Sequence, residues 1–271
     1  MSAAPYPVVT ETAAVPVGGG TMAAHLVRPA APGPWPAVIV GFEMFGVTDY
    51  MRRTAARIAA LGYLAVVPDF YHRTSPGFEG VADEAGRAAG LALLRRLERA
   101  EVRADLRAVL DHLAGRADTT GRVGMVGLSL GGHLAYFAAT QVELAATAVV
   151  YPGWLDVTGT ALGSPDPVLS LTPDMAGHGG RLLYLIGADD HVVTADQSRL
   201  TERALTAAGI RHEVVVYPDT PHGFLADERD TYRQEQAEDA WRRIAGLLGA
   251  ELAPVDPAGN VAENPGKATL T

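Results

Sequence analysis

Cysteine is absent from the 271-residue chain, and serine occurs only six times. The first absence excludes disulfides, thiolate metal sites and a cysteine nucleophile. The scarcity of the second gives weight to any serine that falls inside a motif. Basic residues are outnumbered, 22 against 31 acidic, and the formal net charge of −9 argues against an electrostatic nucleic-acid footprint. No apolar run approaches the length of a membrane span. The opening residues, Met1 to Pro7, lack a basic region followed by an apolar one, which is the pattern of a secretory signal, so a cytoplasmic location is expected. The eight histidines show no metal-ligand spacing, and no phosphate loop, dinucleotide fingerprint or internal repeat appears, so no metal and no other cofactor is expected. What remains is a hydrophobic fraction of 48% with 20% charged residues, the balance of a folded protein with a substantial core.

The pattern along the chain predicts strands alternating with helices. Residues 8–17 and 21–28 read as a hairpin turning at Gly18-Gly19-Gly20. Short apolar runs at 37–41, 63–67, 123–126, 145–151, 182–186 and 212–216 read as strands, most of them buried on both faces. Helices are expected near 50–60, 83–98, 101–115, after Ser129 to about 140, at 195–208 and at 229–248. The result is a mostly parallel, doubly covered α/β sheet with an antiparallel N-terminal edge hairpin. A single domain over 1–250 is expected. Residues 152–180, rich in Gly, Pro, Asp and Ser, read as a possible flap over a pocket, and 251–271 as a flexible tail.

The chemistry concentrates where strand 123–126 runs into Gly127-Leu128-Ser129-Leu130-Gly131, a G-x-S-x-G pentapeptide followed by an Ala/Leu-rich helix. A sharp strand-to-helix turn lifts a serine clear of the sheet, and the flanking glycines avoid steric collision at that turn. The hydroxyl is a weak nucleophile until a histidine takes its proton, and that histidine needs an orienting carboxylate. In an open α/β sheet both should lie just past the carboxyl ends of strands. Gly187-Ala188-Asp189-Asp190 and Asp219-Thr220-Pro221-His222-Gly223 are so placed. The chain order Ser129, Asp190, His222 is that of the α/β-hydrolases, with Asp190 preferred to Asp189. The backbone N–H groups of Leu130 and Met44 are the candidate oxyanion donors. Glu43, beside them, reads either as a solvated loop residue or as a second proton-handling group.

Together, Val38 to Val47, Gly62 to Tyr71, Val123 to Gly132, Gly187 to Val193 and His222-Gly223-Phe224 resemble the dienelactone hydrolase family of α/β-hydrolases, over about residues 36–247. The resemblance implies an α/β-hydrolase fold, Ser129 at the nucleophile position, Asp190 and His222 as its partners, and Glu43 as an acidic residue touching the nucleophile. It also places Arg87 where the family holds a substrate carboxylate. Arg73, Tyr71, Trp154 and Phe45 complete the candidate substrate contacts. Two departures stand out. The family's best-known members use cysteine where this chain has serine, so His222 must be the base. The family's second carboxylate-binding arginine falls four positions after the histidine, which here is Ala226. The 152–180 segment also exceeds the family's usual connection.

The expectation is a cofactor-independent serine hydrolase acting on a small ester or lactone through an acyl-enzyme, with no nucleic-acid or membrane partner. The alternative is a cyclase, lyase or isomerase on the same fold, in which Glu43 and His222 do acid–base work.

Overall fold

The structure, a computed structural model, describes residues 5–252. Eight strands form one sheet in the order β1-β2-β4-β3-β5-β6-β7-β8, where β1 is Val8–Val17, β2 Gly20–Pro29, β3 Trp35–Gly41, β4 Leu64–Pro68, β5 Thr119–Leu128, β6 Ala146–Val150, β7 Arg181–Gly187 and β8 Arg211–Tyr217. β1 and β2 are antiparallel from Val8 opposite Pro29 to Val17 opposite Gly20, and β2 is antiparallel to β4. Every other pairing is parallel. Helices cover both faces: α1 Asp49–Ala60, α2 Glu84–Leu94, α3 Arg99–Ala114, α4 Leu130–Gln141, α5 Ala195–Ala207 and α6 Gln234–Leu252. This is the α/β-hydrolase fold expected from the sequence.

The strands are where their composition puts them. β4 and β6 are buried at every position, which is why they read as unbroken apolar runs rather than alternating ones. Each Val, Ile or Leu so covered contributes about 1.5–3 kcal/mol. The parallel strands end together at one edge of the sheet, and the loops leaving those ends carry the site.

Several boundaries differ from the sequence pattern. The second and third helices occupy 84–94 and 99–114 rather than 83–98 and 101–115; between them the chain turns through backbone bonds from Arg96 N to Leu93 O and Leu97 N to Leu94 O. The last helix begins at Gln234, not near Arg229. Residues 226–233 fold back as turns, with Ala226 N donating to Gly223 O and Arg233 N to Phe224 O. It also runs on to Leu252, so residues 251 and 252 are helical and the rest of the expected tail lies outside the described residues. Within 152–180 a 3-10 helix, Val168–Gly177, packs against α4 and α5. Leu155, Ala161, Leu162, Val168, Leu169 and Met175 of this segment are buried in the core.

Candidate active site

Ser129 sits between β5 and α4 at φ 55°, ψ −117°, a backbone region that L-residues rarely adopt. The turn is held by the Ser129 N–H donating to Val150 O at 3.0 Å and by His133 N–H donating to Ser129 O at 3.1 Å. Its glycines answer to sterics. A Cβ on Gly127 would lie 1.8 Å from the Gly131 carbonyl oxygen, and one on Gly131 would lie 2.0 Å from that of Gly41. The Gly131–Gly41 approach presses the start of α4 against the end of β3, which sets the loop Phe42–Phe45 beside Ser129.

His222 follows β8, and Asp190 follows β7. Ser129 Oγ is 3.0 Å from His222 Nε2, and His222 Nδ1 is 2.8 Å from Asp190 Oδ2. The second oxygen, Oδ1, accepts the backbone N–H groups of Val192 at 2.7 Å and Val193 at 2.9 Å, so the carboxylate is pinned in the one orientation that meets the imidazole. Asp190 is buried, whereas Asp189 is exposed. The Tyr151 ring packs edge-on against His222 with centroids 5.0 Å apart, and His191 lies on the same ring at 5.8 Å.

Leu130 is the first residue of α4, so its N–H has no intrahelical acceptor. The Met44 N–H makes no backbone hydrogen bond among the described residues, although its neighbourhood is well braced. Gly46 N–H donates to Glu43 O at 3.1 Å, and Tyr71 Oη donates to Met44 O at 3.2 Å. The loop is thus fixed through its carbonyls, leaving both amides unspent.

Glu43 is only 3% exposed and is occupied elsewhere than at the serine. Arg229 donates Nη1 to Glu43 Oε1 at 3.1 Å and Nη2 to Oε2, a bidentate pair. No hydrogen bond joins Glu43 to Ser129 or His222 among the described residues. The guanidinium lies 5.3 Å from the Phe45 ring centroid and 5.8 Å from that of Tyr50.

Of the other expected contacts, Tyr71 is buried as the brace of the Met44 loop. Arg73 turns away to α3, where Asp105 takes both of its terminal nitrogens and Glu101 adds a contact at 3.7 Å. Arg87 is exposed on α2 and donates to Ala82 O at 3.3 Å. Trp154 is half-buried at φ 59°, and Ala226 is fully buried. Sequence reasoning missed Tyr50, Tyr151 and Arg229 as neighbours of the site. Tyr151 carried a usable signal, since it stands directly after a buried strand at the sheet's carboxyl edge. Arg229 carried none, because the pattern assigned it to a helix. Among the described residues no three His, Asp or Glu side chains are grouped as a metal ion requires, and no helix is long and apolar enough to cross a membrane.

The model of the dienelactone hydrolase family matches residues 22–252 of this chain. The carboxymethylenebutenolidase of Pseudomonas sp. strain P51 is 35% identical over 245 residues, covering 89% of this chain and 95% of that protein. A protein of Synechocystis sp., named as a candidate carboxymethylenebutenolidase, is 33% identical over 236 residues, 85% of this chain and 92% of its own. Among solved structures, a candidate dienelactone hydrolase from Klebsiella pneumoniae superposes with a TM-score of 0.79 at 29% identity, over 89% of this chain and 98% of that one. The matched span takes in every strand from β3 to β8 and all the loops that carry Glu43, Ser129, Asp190 and His222. The chain belongs to the dienelactone hydrolase family and is a hydrolase of that type.

Proposed function

We propose that this hydrolase cleaves a small ester or lactone through an acyl-enzyme formed on Ser129. The observation that carries the reading is the unbroken line from Ser129 Oγ through His222 to Asp190, with separations of 3.0 and 2.8 Å. Oγ attacks the carbonyl carbon while His222 Nε2 takes its proton. Asp190 fixes the Nδ1–H tautomer and stabilises the imidazolium that forms. The Met44 and Leu130 N–H groups receive the oxyanion, each worth on the order of 3 kcal/mol in the transition state. The imidazolium returns the proton to the leaving alkoxide, and a water activated by the same ring then clears the acyl group. The names of the family and of its relatives support a lactone or related ester as substrate class.

The acid–base alternative needs Glu43 to exchange a proton. Both Glu43 oxygens accept from Arg229, which supports the hydrolytic reading instead. Ser129→Ala decides the matter. Ester hydrolysis should fall at least a thousandfold with the unfolding midpoint unchanged, since a serine triad acts as a unit. Full activity in that variant would overturn the proposal.

A further inference from the structure

The loop that carries the proposed oxyanion donor Met44 is braced by residues the mechanism does not use. Phe78, Glu79 and Gly80 lie in the connection between β4 and α2, which is turns and coil apart from an isolated antiparallel bridge of Glu79 to Gly46. Beside that bridge the Gly80 N–H donates to Phe45 O at 2.8 Å. Gly46 stands at φ 81°, and a Cβ there would lie 2.0 Å from Phe78 O, so only glycine lets the two segments meet backbone to backbone. The helix that follows closes on the same loop: a Cβ on Gly90 of α2 would lie 2.7 Å from Met44 O.

The segment after Gly80, Val81 to Asp83, is exposed, so burial does little to hold it. Glu79 ties the 78–80 segment to the body of the protein. Its carboxylate receives Arg52 of α1 as a bidentate pair, Nη1 to Oε2 at 3.0 Å and Nη2 to Oε1, across 27 positions of sequence. Two parallel bonds fix direction as well as distance. Arg52 stands on a firm base, because α1 packs against β2, β3 and β4. The two side chains are 32% and 46% exposed, so the pair adds little to global stability. Its leverage is local, on a short segment bonded directly to the residues that follow Met44.

We infer that Arg52 and Glu79 are positioning residues for the reaction: their ion pair holds the 78–80 segment against Phe45 and Gly46 and thereby sets the Met44 N–H where the oxyanion forms. The inference rests on the hydrolase reading above and adds a positioning role at that same site. The Glu43–Arg229 pair ties the start of this loop, and Arg52–Glu79 ties its end. A donor aimed at an oxyanion acts only in the transition state, and its strength depends on placement. Loosening the brace therefore slows turnover more than it weakens substrate binding.

The test takes Arg52→Met, Glu79→Met and the double variant, with Asp49→Asn as control, because Arg52 Nη1 also bonds Asp49 at 2.8 Å. On p-nitrophenyl valerate each single variant should lose about fivefold in kcat, equivalent to about 1 kcal/mol, the upper worth of an exposed ion pair. KM should stay within about twofold, since acylation and deacylation use the same donors. The double variant should be no slower than either single one, because both remove the same pair. Arg52→Lys, which keeps the charge without the fork, should recover part of the loss, and Asp49→Asn should match wild type. Amide exchange at Gly80 should quicken by a similar factor in every variant that lacks the pair, and that arm needs no turnover. Losses that multiply in the double variant, an effect confined to KM, or unaltered Gly80 exchange in both single variants would overturn the role. Valerate hydrolysis that persists in Ser129→Ala would instead overturn the serine hydrolase reading, and Gly80 exchange would still decide whether the pair braces the loop.

Discussion

Glu43 and Arg229, 186 positions apart, close a bidentate ion pair against the loop that leaves β3. The carboxylate is 3% exposed and the guanidinium side chain 21%, so the pair is largely withdrawn from water. In this arrangement the acidic residue nearest the proposed oxyanion donors is neutralised rather than poised. That fits a serine nucleophile, whose proton goes to His222 and not to a carboxylate. It also ties the loop following His222 to the loop carrying Met44, joining two sides of the site.

Breaking that tie should be expensive. Arg229→Met leaves a buried carboxylate unpaired and is expected to cost about 3–5 kcal/mol of stability. Adding Glu43→Gln removes the stranded charge and should restore more than half of that loss. Urea unfolding of the two variants beside wild type measures both effects. A loss under 1 kcal/mol in Arg229→Met would mean that the pair is not a structural clasp.

His133 gives the fold an acid-sensitive point one turn into α4. Its ring is fully buried, Nδ1 lies 2.5 Å from Gly153 O, and Nε2 has no partner among the described residues. Burial pushes its pKa down to about 4 from an ordinary 6.5. The folded state therefore refuses a proton that the unfolded chain accepts. Stability from this group is complete above pH 6.5 and falls as the pH drops toward 4, by about 3 kcal/mol over that interval. His133→Leu should flatten that part of the stability profile while wild type slopes; equal slopes would assign the acid loss to other groups.

Much of this was legible in the chain. Buried parallel strands announce themselves as apolar runs, so β3 to β7 and the residues at their carboxyl ends, Ser129 and Asp190 among them, follow from pattern and order. The choice of Asp190 over Asp189 was readable only as a preference. In the structure the amides of Val192 and Val193 hold the Asp190 carboxylate against His222, while Asp189 is exposed. What escaped was long-range pairing between loops. Arg229 sits in a run that looks helical, yet 226–233 turns back, and only that reversal brings the guanidinium to Glu43. Arg73 shows the converse: its position suggested the site, but the buried carboxylate of Asp105 on α3 claims it.

The two amides on Asp190 also make its substitution unusually clean. In Asp190→Asn the side-chain oxygen can keep accepting from Val192 and Val193, so the fold should hold within about 1 kcal/mol. The NH2 group is then left facing His222 Nδ1. A donor there forces that nitrogen to accept, which places the ring proton on Nε2, the atom that must take the proton of Ser129. The proposed base is disarmed without being moved, and kcat should fall by about 10⁴. Asp189→Asn, one residue away and exposed, should stay within about twofold of wild type, since surface changes away from the site rarely register. Steady-state rates on p-nitrophenyl valerate, with unfolding midpoints for both variants, distinguish the cases. Near-normal turnover in Asp190→Asn would mean that His222 does not depend on this carboxylate, and the proposed triad would lose its third member.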